Sequence, residues 1–340
     1  MNTVVIDLPS DSYTDTHTHT TRIPLQQSMP NTTTQAPLPL TLLNQYPDCF
    51  PLKVQKHINY TIKTQLLPFH ISSRYIELSC DEPTTQFLIQ CCEEYNSSYI
   101  SSYYIKNAFI KPLMKTYYNH TDCNGILGTG SMFVCSTQQG KLLLDKHINN
   151  THTNDTILLD IGAGDGNVTL QLKPLFNTVY TTEVSDRMVH KLQAIHQFNC
   201  YQTTDIHYIF KDIKQHHNNI SPSVITLFNV LDRCDHPIQL LRDIYNNMSS
   251  TSILLLAVVL PLKPSVENSD GTWSAPIQSI VTRGYTCCST YEDSLTGLID
   301  DIILPIGYTL QSISRVPYIS AGDTVKPFYV LQDALIVLQK

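Results

Sequence analysis

The sequence predicts an α/β fold with a seven-stranded, mainly parallel, doubly wound sheet and a helical N-terminal extension. From residue 157 onward, short apolar strand-like runs alternate with helical patterns, which is typical of right-handed βαβ units. A glycine-rich stretch follows the first of these strands, as expected at a ligand-binding turn. Two strand-like runs close the chain with little between them, which indicates an antiparallel pair.

The N-terminal elements come before this alternation. Residues 1 to about 45 are rich in Thr, Ser, Pro, Gln and Asn, so we expect a mostly disordered segment. Apolar side chains at helix-face spacing predict two helices within 83–118, and another helix is predicted at 138–147. We therefore assign 1–50 to a tail, 51–150 to a helical extension with a substrate and cofactor loop, and 151–340 to the main domain.

The main domain carries the predicted sheet. Strands are predicted at 157–160, 178–183, 207–210, 224–229, 252–260, 309–316 and 328–338. Helices are predicted at 168–175, 187–197, 238–248 and 295–303. The run 252–260 is apolar almost throughout, which favours a strand buried on both faces.

Composition narrows the class of protein. The 22 Lys and Arg against 29 Asp and Glu give a net charge of −7, and the absence of a basic run argues against nucleic acid as a partner. The ten cysteines lack Cys-x-x-Cys spacing, and none of the thirteen histidines has convincing ligand spacing, so no metal site is predicted. Because the sequence shows neither a signal-peptide pattern nor a run of ~20 apolar residues for a membrane span, we expect an intracellular, cytoplasmic location.

The glycine-rich turn at 160–166 predicts the cofactor. Its glycines let the backbone approach a ligand closely. The dinucleotide fingerprint is not met, because Asn167 holds the place of its third glycine. Asp160 and Asp165 would repel a pyrophosphate, whereas S-adenosylmethionine has no phosphate and carries an ammonium and a sulfonium. The turn therefore favours S-adenosylmethionine.

Acidic and hydroxyl side chains extend this cofactor prediction. Glu183 ends the second strand at the usual distance of about 20 residues past such a turn, where a carboxylate accepts the ribose hydroxyls. Asp212 could accept from the adenine amino group, Asp205 competes for that role, and both could equally be loop or capping residues. Ser131 could line the methionine end of the donor or belong only to a turn.

The fourth strand leads into 228–237, at the sheet edge where reactants meet. Enzymes that methylate amino groups of nucleic acids carry Asp/Asn-Pro-Pro-aromatic at this point, and this chain has Asn-Val-Leu-Asp at 229–232 instead. This difference also argues against a nucleic-acid substrate. Trp273, the sole tryptophan, and Glu267 lie in a long loop after the fifth strand, where a lid over a peptide is expected.

These stretches together resemble the methyltransferase-like protein 9 family. The matching sequences are Leu-Leu-Asp-Ile-Gly-Ala-Gly-Asp-Gly (158–166), Thr-Glu-Val-Ser (182–185), Asn-Val-Leu-Asp-Arg-Cys-Asp-His-Pro (229–237) and Leu-Pro-Leu-Lys-Pro-Ser-Val-Glu-Asn (260–268), with further matches at 128–134, 316–318 and 328–331. The resemblance runs in order from about residue 83 to the end. It implies a class I methyltransferase fold and methylation of protein histidine on the ring nitrogen nearest the backbone, within His-x-His sequences that have a small middle residue.

The resemblance also implies roles for individual residues. The positions that match its donor-binding residues are Asp160, Gly162, Gly164 and Glu183. Asn229 and Tyr329 match residues that hold the acceptor imidazole. Phe328 departs from a second aromatic hydroxyl position, so that hydroxyl contact is lost.

The residue types fit histidine methylation. A neutral imidazole has a pKa of ~6.5 and one nucleophilic nitrogen, so no strong base is needed. The Asn229 amide and the Tyr329 hydroxyl could orient the ring, although Asn229 could instead cap a turn and Tyr329 could serve packing alone. Asp232 could hold the proton-bearing nitrogen and stabilise the methylated imidazolium, or it could be a structural partner of Arg233.

Two other functions remain open from the sequence, and the tail supports one further hypothesis about a substrate. The alternatives are a small-molecule methyltransferase on the same fold and a scaffold that binds the donor without turnover. His17 and His19 form a His-x-His sequence in the tail, which we interpret either as a site of automethylation or weak pseudosubstrate binding, or as a low-complexity or metal-binding accident.

Overall fold

In the computed structural model of the protein, an eight-stranded sheet organises the described residues, which are 38–97, 102–148, 156–268, 270–282 and 289–340. Its strands are β1 (Met132–Phe133), β2 (Ile157–Ile161), β3 (Thr178–Thr182), β4 (Asn199–Tyr201), β5 (Val224–Phe228), β6 (Ile253–Val259), β9 (Thr309–Ala321) and β10 (Phe328–Gln339). A separate hairpin joins β7 (Val266–Glu267) to β8 (Trp273–Ser274). The order in the sheet is β1-β9-β10-β6-β5-β2-β3-β4.

The helices pack against this sheet and extend the N-terminal part of the chain. They are α1 (Leu40–Gln45), α2 (Leu52–His57), α3 (Phe69–Ser72), α4 (Glu82–Asn96), α5 (Ser102–Ile105), α6 (Lys111–Met114), α7 (His120–Leu127), α8 (Thr137–Ile148), α9 (Asn167–Leu172), α10 (Asp186–Ala194), α11 (Ile206–His216), α12 (Pro237–Asn247), α13 (Tyr291–Gly297) and α14 (Leu304–Ile306). π-Helical turns lie at Lys106–Ile110 and Leu298–Ile303, and 3₁₀ turns lie at Pro47–Cys49, Thr64–Leu66 and Lys173–Leu175.

The strand pairing confirms the predicted α/β class I methyltransferase fold. Strands β2–β6 are parallel where they pair with one another, and β10 runs antiparallel to both β6 and β9. The chain order reverses on either side of β2, which pairs with both β3 and β5, so a crevice opens at the carboxyl ends of these strands. The sheet has eight strands rather than seven because β1 pairs with the edge of β9. No strand was predicted in the extension at 51–150, where β1 lies.

The strand predicted at 207–210 is wrong. Those residues lie in α11, and the strand beside β3 is the three-residue β4. Ile206, Ile209 and Ile213 recur at helical spacing and are all buried, while the Asp205 side chain caps the helix by accepting from the Tyr208 amide at 3.0 Å. Apolar content alone did not distinguish a short strand from one buried face of a helix.

Residues 38–50, which come before the helical extension, pack directly on the sheet. Leu42 and Phe50 are buried in a hydrophobic cluster that also contains Leu158 of β2 and Ile253 of β6. Residues 38–50 therefore contribute to the core, although the sequence analysis placed them in the tail. From residue 38 onward, the described residues form one compact unit. No helix in the described ranges combines the length and apolarity that a bilayer-spanning segment requires.

Candidate active site

A cavity of about 1660 Å³ lies at the carboxyl ends of β2, β3 and β5. Its floor is the glycine turn after β2, and its sides are the segments that follow β3 and β5. Helix α7 and the β7–β8 hairpin contribute the remaining wall. A site for one drug-sized ligand has roughly 300–1,000 Å³, so this cavity has room for a cofactor and a second reactant.

The backbone of the glycine turn approaches the cavity in left-handed conformations. Gly162 has a φ of 72° and Gly164 a φ of 56°. A Cβ on Gly162 would lie 2.6 Å from Cγ2 of Val230, so a larger residue would have to displace the segment after β5. Both glycines line the cavity, as predicted for a turn that passes close to a ligand.

Asp160 lines the cavity from beneath this turn, and its carboxylate is held by the fold. The Thr226 hydroxyl donates to Oδ1 at 2.7 Å, and the Thr169 hydroxyl donates to Oδ2. Burial raises the pKa of Asp160, while these two hydrogen bonds act in the opposite direction. Asp160 is thus placed to support the turn, and its predicted contact with a donor stays a prediction.

Glu183 connects the end of β3 to the glycine turn. Its Oε2 accepts from the Gly164 amide at 2.9 Å, and its Oε1 accepts from the amides of Val184 and Ser185 at 2.7 and 3.0 Å. A carboxylate has about four lone-pair positions, and the three amides occupy three of them, so Glu183 can accept about one further hydrogen bond from a ligand in the cavity. This geometry agrees with the predicted binding of ribose hydroxyls.

Asn229 lies just past β5, on the opposite wall. Its backbone is left-handed, with a φ of 56°, and its amide donates to the Ala257 carbonyl at 2.9 Å. Its side-chain Nδ2 donates to Oδ2 of Asp333 at 2.8 Å. Its Oδ1 is buried and has no hydrogen-bond partner within the described ranges. Asn229 therefore lines the cavity, while its Oδ1 is shielded from solvent.

Asp232 follows in the same segment and is also buried against the cavity. Its Oδ2 lies 3.4 Å from Nε of Arg233, whose guanidinium stacks 5.5 Å from the ring centre of Trp273. Its Oδ1 has no partner in the described part of the chain. Burial raises the pKa of Asp232, and the Arg233 charge opposes that shift. The structural pair with Arg233 is present, and the other carboxylate oxygen is shielded from solvent.

The structure does not bring Tyr329 to this wall. Its side chain is 39% exposed, its hydroxyl donates to Oδ2 of Asp323 at 2.9 Å, and it is not among the described residues that line the cavity. Tyr329 shares a face of β10 with Asp333 but precedes it by four positions, which is ~13 Å along a strand. Phe328 points to the other face, where it packs on Phe50 with ring centres 5.2 Å apart. The expectation that Tyr329 and Asn229 hold one ring together is therefore corrected.

Two of the predicted donor contacts also lie off the cavity wall. Asp212 lies inside α11 and accepts from the Tyr201 hydroxyl at 2.7 Å. Ser131 accepts from Nδ2 of Asn167 at 3.0 Å behind the glycine turn. Neither is among the described residues that line the cavity, and Asp205 is the cap of α11. Thr203 and Thr204 line the wall at this end instead.

Sequence reasoning missed two polar residues, the buried Asp333 beside Asn229 and the half-buried Tyr318 on the cavity wall. Asp333 is fully buried in β10, and Tyr318, on the neighbouring strand β9, lines the cavity and donates its hydroxyl to Sδ of Met132. Burial raises the pKa of both side chains. The available signal was an acidic residue, Asp333, directly before the apolar run 334–338. Buried acidic residues are rare unless they are paired.

The wall opposite the sheet is tied together by a carboxylate. Glu267 of β7 accepts from the backbone amides of His120 and Thr121 at the start of α7, and from the Thr121 hydroxyl at 2.8 Å. At the same helix, Asp122 accepts from the Ser185 hydroxyl at 2.6 Å. Helix α7 thus bridges the hairpin and the segment after Glu183, in the region where a lid was expected.

Comparison with known proteins places this site in a family. A family model described as DREV methyltransferase matches residues 59–340. Among solved structures, an S-adenosylmethionine-dependent methyltransferase from Anabaena variabilis is similar at 11% identity, with 68% of this chain and 94% of that chain covered and a TM-score of 0.41. The N-methyltransferase NodS from Bradyrhizobium japonicum, in complex with S-adenosylhomocysteine, is similar at 15% identity, with 60% and 84% covered and a TM-score of 0.33. The family assignment rests on the first match, which spans most of the chain.

Proposed function

The chain belongs to the DREV methyltransferase family, and we propose that it is a protein-histidine N-methyltransferase that modifies the Nδ1 nitrogen of histidine in His-x-His sequences. It is a methyltransferase with S-adenosylmethionine as its cofactor. Histidine is the proposed acceptor because of the methyltransferase-like protein 9 resemblance and because of the chemistry of the wall that carries Asn229.

The residues around the glycine turn fit the donor. When bound, S-adenosylmethionine supplies a methyl carbon attached to a positively charged sulfur. Gly162 and Gly164 leave space for a ligand against the backbone, and Glu183 retains about one lone-pair position for a ribose hydroxyl. Asp160 supports the turn from below through Thr169 and Thr226. No phosphate-binding basic side chain is needed for such a ligand.

The unused Oδ1 of Asn229 is the observation that carries the proposed acceptor. A neutral imidazole has one N–H donor and one nitrogen lone pair. If the Nε2–H donates to Oδ1 of Asn229, the ring is held in the tautomer whose Nδ1 lone pair is free to attack. Asp333 fixes the Asn229 amide in this orientation, because its carboxylate accepts from Nδ2. The chain then orients the ring without protonating it.

Asp232 supports the charge that develops on transfer. A bound donor would supply the methyl group from its sulfonium, and transfer to the Nδ1 lone pair would leave a neutral thioether and place the positive charge on the imidazolium. The free Oδ1 of Asp232, buried beside the cavity, is placed to stabilise that charge. The Nε2 proton is released to solvent after the product leaves.

A substrate comparison tests the proposed function. The purified full chain is incubated with labelled donor and a peptide containing His-Ala-His, a matched peptide containing Ala-Ala-Ala, or a panel of free metabolites, followed by amino-acid analysis. We expect methylhistidine only in the first peptide. Methylation of a metabolite alone would favour a small-molecule enzyme, and donor binding without any product would favour a scaffold.

The proposed function extends to the tail. His17 and His19 lie outside the described residues, and we propose that their His-x-His sequence is methylated by the protein itself or acts as a weak pseudosubstrate. Mass spectrometry of the chain incubated with donor checks this. The absence of an added methyl group on residues 10–25 would remove the proposal of automethylation.

A further inference from the structure

A helical segment beside the cavity exposes a set of apolar side chains. The segment runs through α5, the π-helical turn and α6 to the turn that follows, residues 102–118, and we call it the 102–118 surface. Phe109, Leu113 and Tyr117 are 67%, 68% and 83% exposed, and Ile105 and Ile110 are also exposed. Single exposed apolar residues are ordinary, whereas several on one helical segment mark an interaction surface.

The charge of this segment is opposite to that of the whole chain. It contains Lys106, Lys111 and Lys115 and no Asp or Glu, while the complete sequence has a net charge of −7. Lys106 and Lys111 are half-buried and Lys115 is exposed, and burial lowers the pKa of Lys111. Lysines that flank exposed Phe, Leu, Ile and Tyr side chains are typical of helices that lie in a membrane interface.

We propose that the 102–118 surface binds the surface of an anionic lipid bilayer, with its apolar side chains in the headgroup region and its lysines on the phosphates. The segment would lie on the bilayer and not cross it. A second protein is a weaker candidate, because lysine is depleted in protein–protein interfaces. Each Lys near an anionic bilayer strengthens binding electrostatically, which matches the one-sided charge of this segment.

The same segment connects the bilayer to the cavity. Lys115 and Tyr118 line the cavity, and the next element, α7, forms part of its wall. Binding through the 102–118 surface would therefore hold the cavity mouth close to the lipid–water boundary. Acceptor histidines in protein segments at a membrane surface would then be favoured, a consequence that rests on the proposed function, whereas the binding itself does not.

Vesicle flotation of the full chain tests the proposal. The protein is mixed with vesicles of phosphatidylcholine, or of phosphatidylcholine with about 30% phosphatidylserine as an anionic surface. We expect the protein to float with the anionic vesicles and much less with the neutral ones. Phe109→Ser/Leu113→Ser should lower the partition coefficient about tenfold or more, since both apolar side chains are lost from the interface. Lys106→Gln should weaken the dependence on phosphatidylserine.

A matched variant controls for the general loss of apolar surface. Ile195 and Ile277 are 66% and 74% exposed outside the segment, and Ile195→Ser/Ile277→Ser should bind vesicles as the wild type does. Phe109 and Leu113 are not among the described cavity residues, so methylation of a soluble peptide should be unchanged in Phe109→Ser/Leu113→Ser. Failure of the wild-type chain to float with anionic vesicles, with its peptide methylation intact, would therefore overturn this proposal alone.

Fluorescence gives a second measurement that does not depend on a destabilising variant. Phe109→Trp in a Trp273→Phe background places the only tryptophan on the 102–118 surface. We expect a blue shift with anionic vesicles and no shift with neutral ones. No shift with either, equal loss of flotation in the control variant, or a wild-type dimer that Phe109→Ser/Leu113→Ser dissociates would overturn bilayer binding, the last in favour of self-association.

Discussion

Asn229 and Asp333 form the side-chain contact on which the proposed acceptor site depends. The left-handed backbone of Asn229 directs its side chain to Asp333, and their hydrogen bond leaves only the amide oxygen for a ligand. A left-handed conformation costs a non-glycine residue free energy and is retained where the surrounding structure enforces it. At the residue scale, the pair therefore functions as one unit.

Asn229→Gly tests the amide separately from the backbone. Glycine accepts the φ of 56° without strain, so the variant should fold as the wild type does while it loses the acceptor for the imidazole N–H. We expect turnover to fall roughly 10–100-fold, with donor affinity within about twofold of the wild type. Isothermal titration and single-turnover kinetics measure the two effects, and a matching loss of donor affinity would contradict the acceptor role.

Asp333 should make folding stability depend on pH. Burial raises its pKa to about 8 in the folded chain, against ~3.9 for an unfolded Asp. Between these values the folded state holds more protons than the unfolded state, so the contribution of Asp333 to stability falls as pH rises from about 4 to 8. Asp333→Asn resembles the protonated acid and should show a smaller fall over that range in urea unfolding. An unchanged pH dependence would show that Asp333 does not titrate there.

At the scale of elements, α7 holds the cavity wall in place. Its N-terminus is bound by Glu267 of the β7–β8 hairpin, and its Asp122 accepts from Ser185, next to the residues bound by Glu183. A carboxylate at a helix N-terminus accepts from free amides and interacts favourably with the helix dipole. The hairpin, the helix and the donor-side segment are thus mechanically linked.

Glu267→Ala should loosen this link. We expect a loss of about 0.5–2 kcal/mol in stability, the usual range for removal of a helix cap, together with weaker donor binding. Thr121→Val is the matched control, because it removes one hydroxyl donor and leaves the backbone contacts to Glu267. Unfolding curves and donor titrations of both variants provide the measurements, and equal effects in the two would locate the contribution in Thr121 instead.

At the scale of the whole molecule, one sheet edge brings distant parts of the sequence to a common cavity. The donor side comes from the turns after β2 and β3, and the acceptor side from the segment after β5 with support from β10. This division arises where the order of the strands reverses beside β2. The cavity volume of about 1660 Å³ fits two reactants that meet there.

Ligand-dependent stability provides a test at this scale. S-adenosylmethionine or S-adenosylhomocysteine at about 100 times its Kd should stabilise the folded chain by about 2.7 kcal/mol and raise Tm. A dinucleotide should have no such effect, because Asp165 and Asp160 lie at the turn where its pyrophosphate would sit. Thermal unfolding with each ligand decides between them, and stabilisation by the dinucleotide alone would refute the donor prediction.

Local sequence patterns determined the cofactor turn and the order of the elements. The alternation of apolar runs, the glycines at 162 and 164, and Glu183 after β3 can all be recognised from residues near each other in the chain. The structure places the two glycines and Glu183 at one cavity. The same local approach failed at 207–210, because one buried face of α11 and a short strand have similar apolar content. It also placed 38–50 outside the core that these residues complete.

Tertiary structure alone decided the acceptor wall. Asn229 and Asp333 are far apart in sequence and meet because β5, β6 and β10 are neighbours in the sheet, a pairing that no local pattern encodes. Tyr329, identified by the family resemblance, lies on the same face of β10 as Asp333 but too far along the strand to share a ring with Asn229. The sequence could not place these residues together for a physical reason. Periodicity determines which face of a strand a side chain occupies, whereas long-range packing determines which side chains lie opposite it across the cavity.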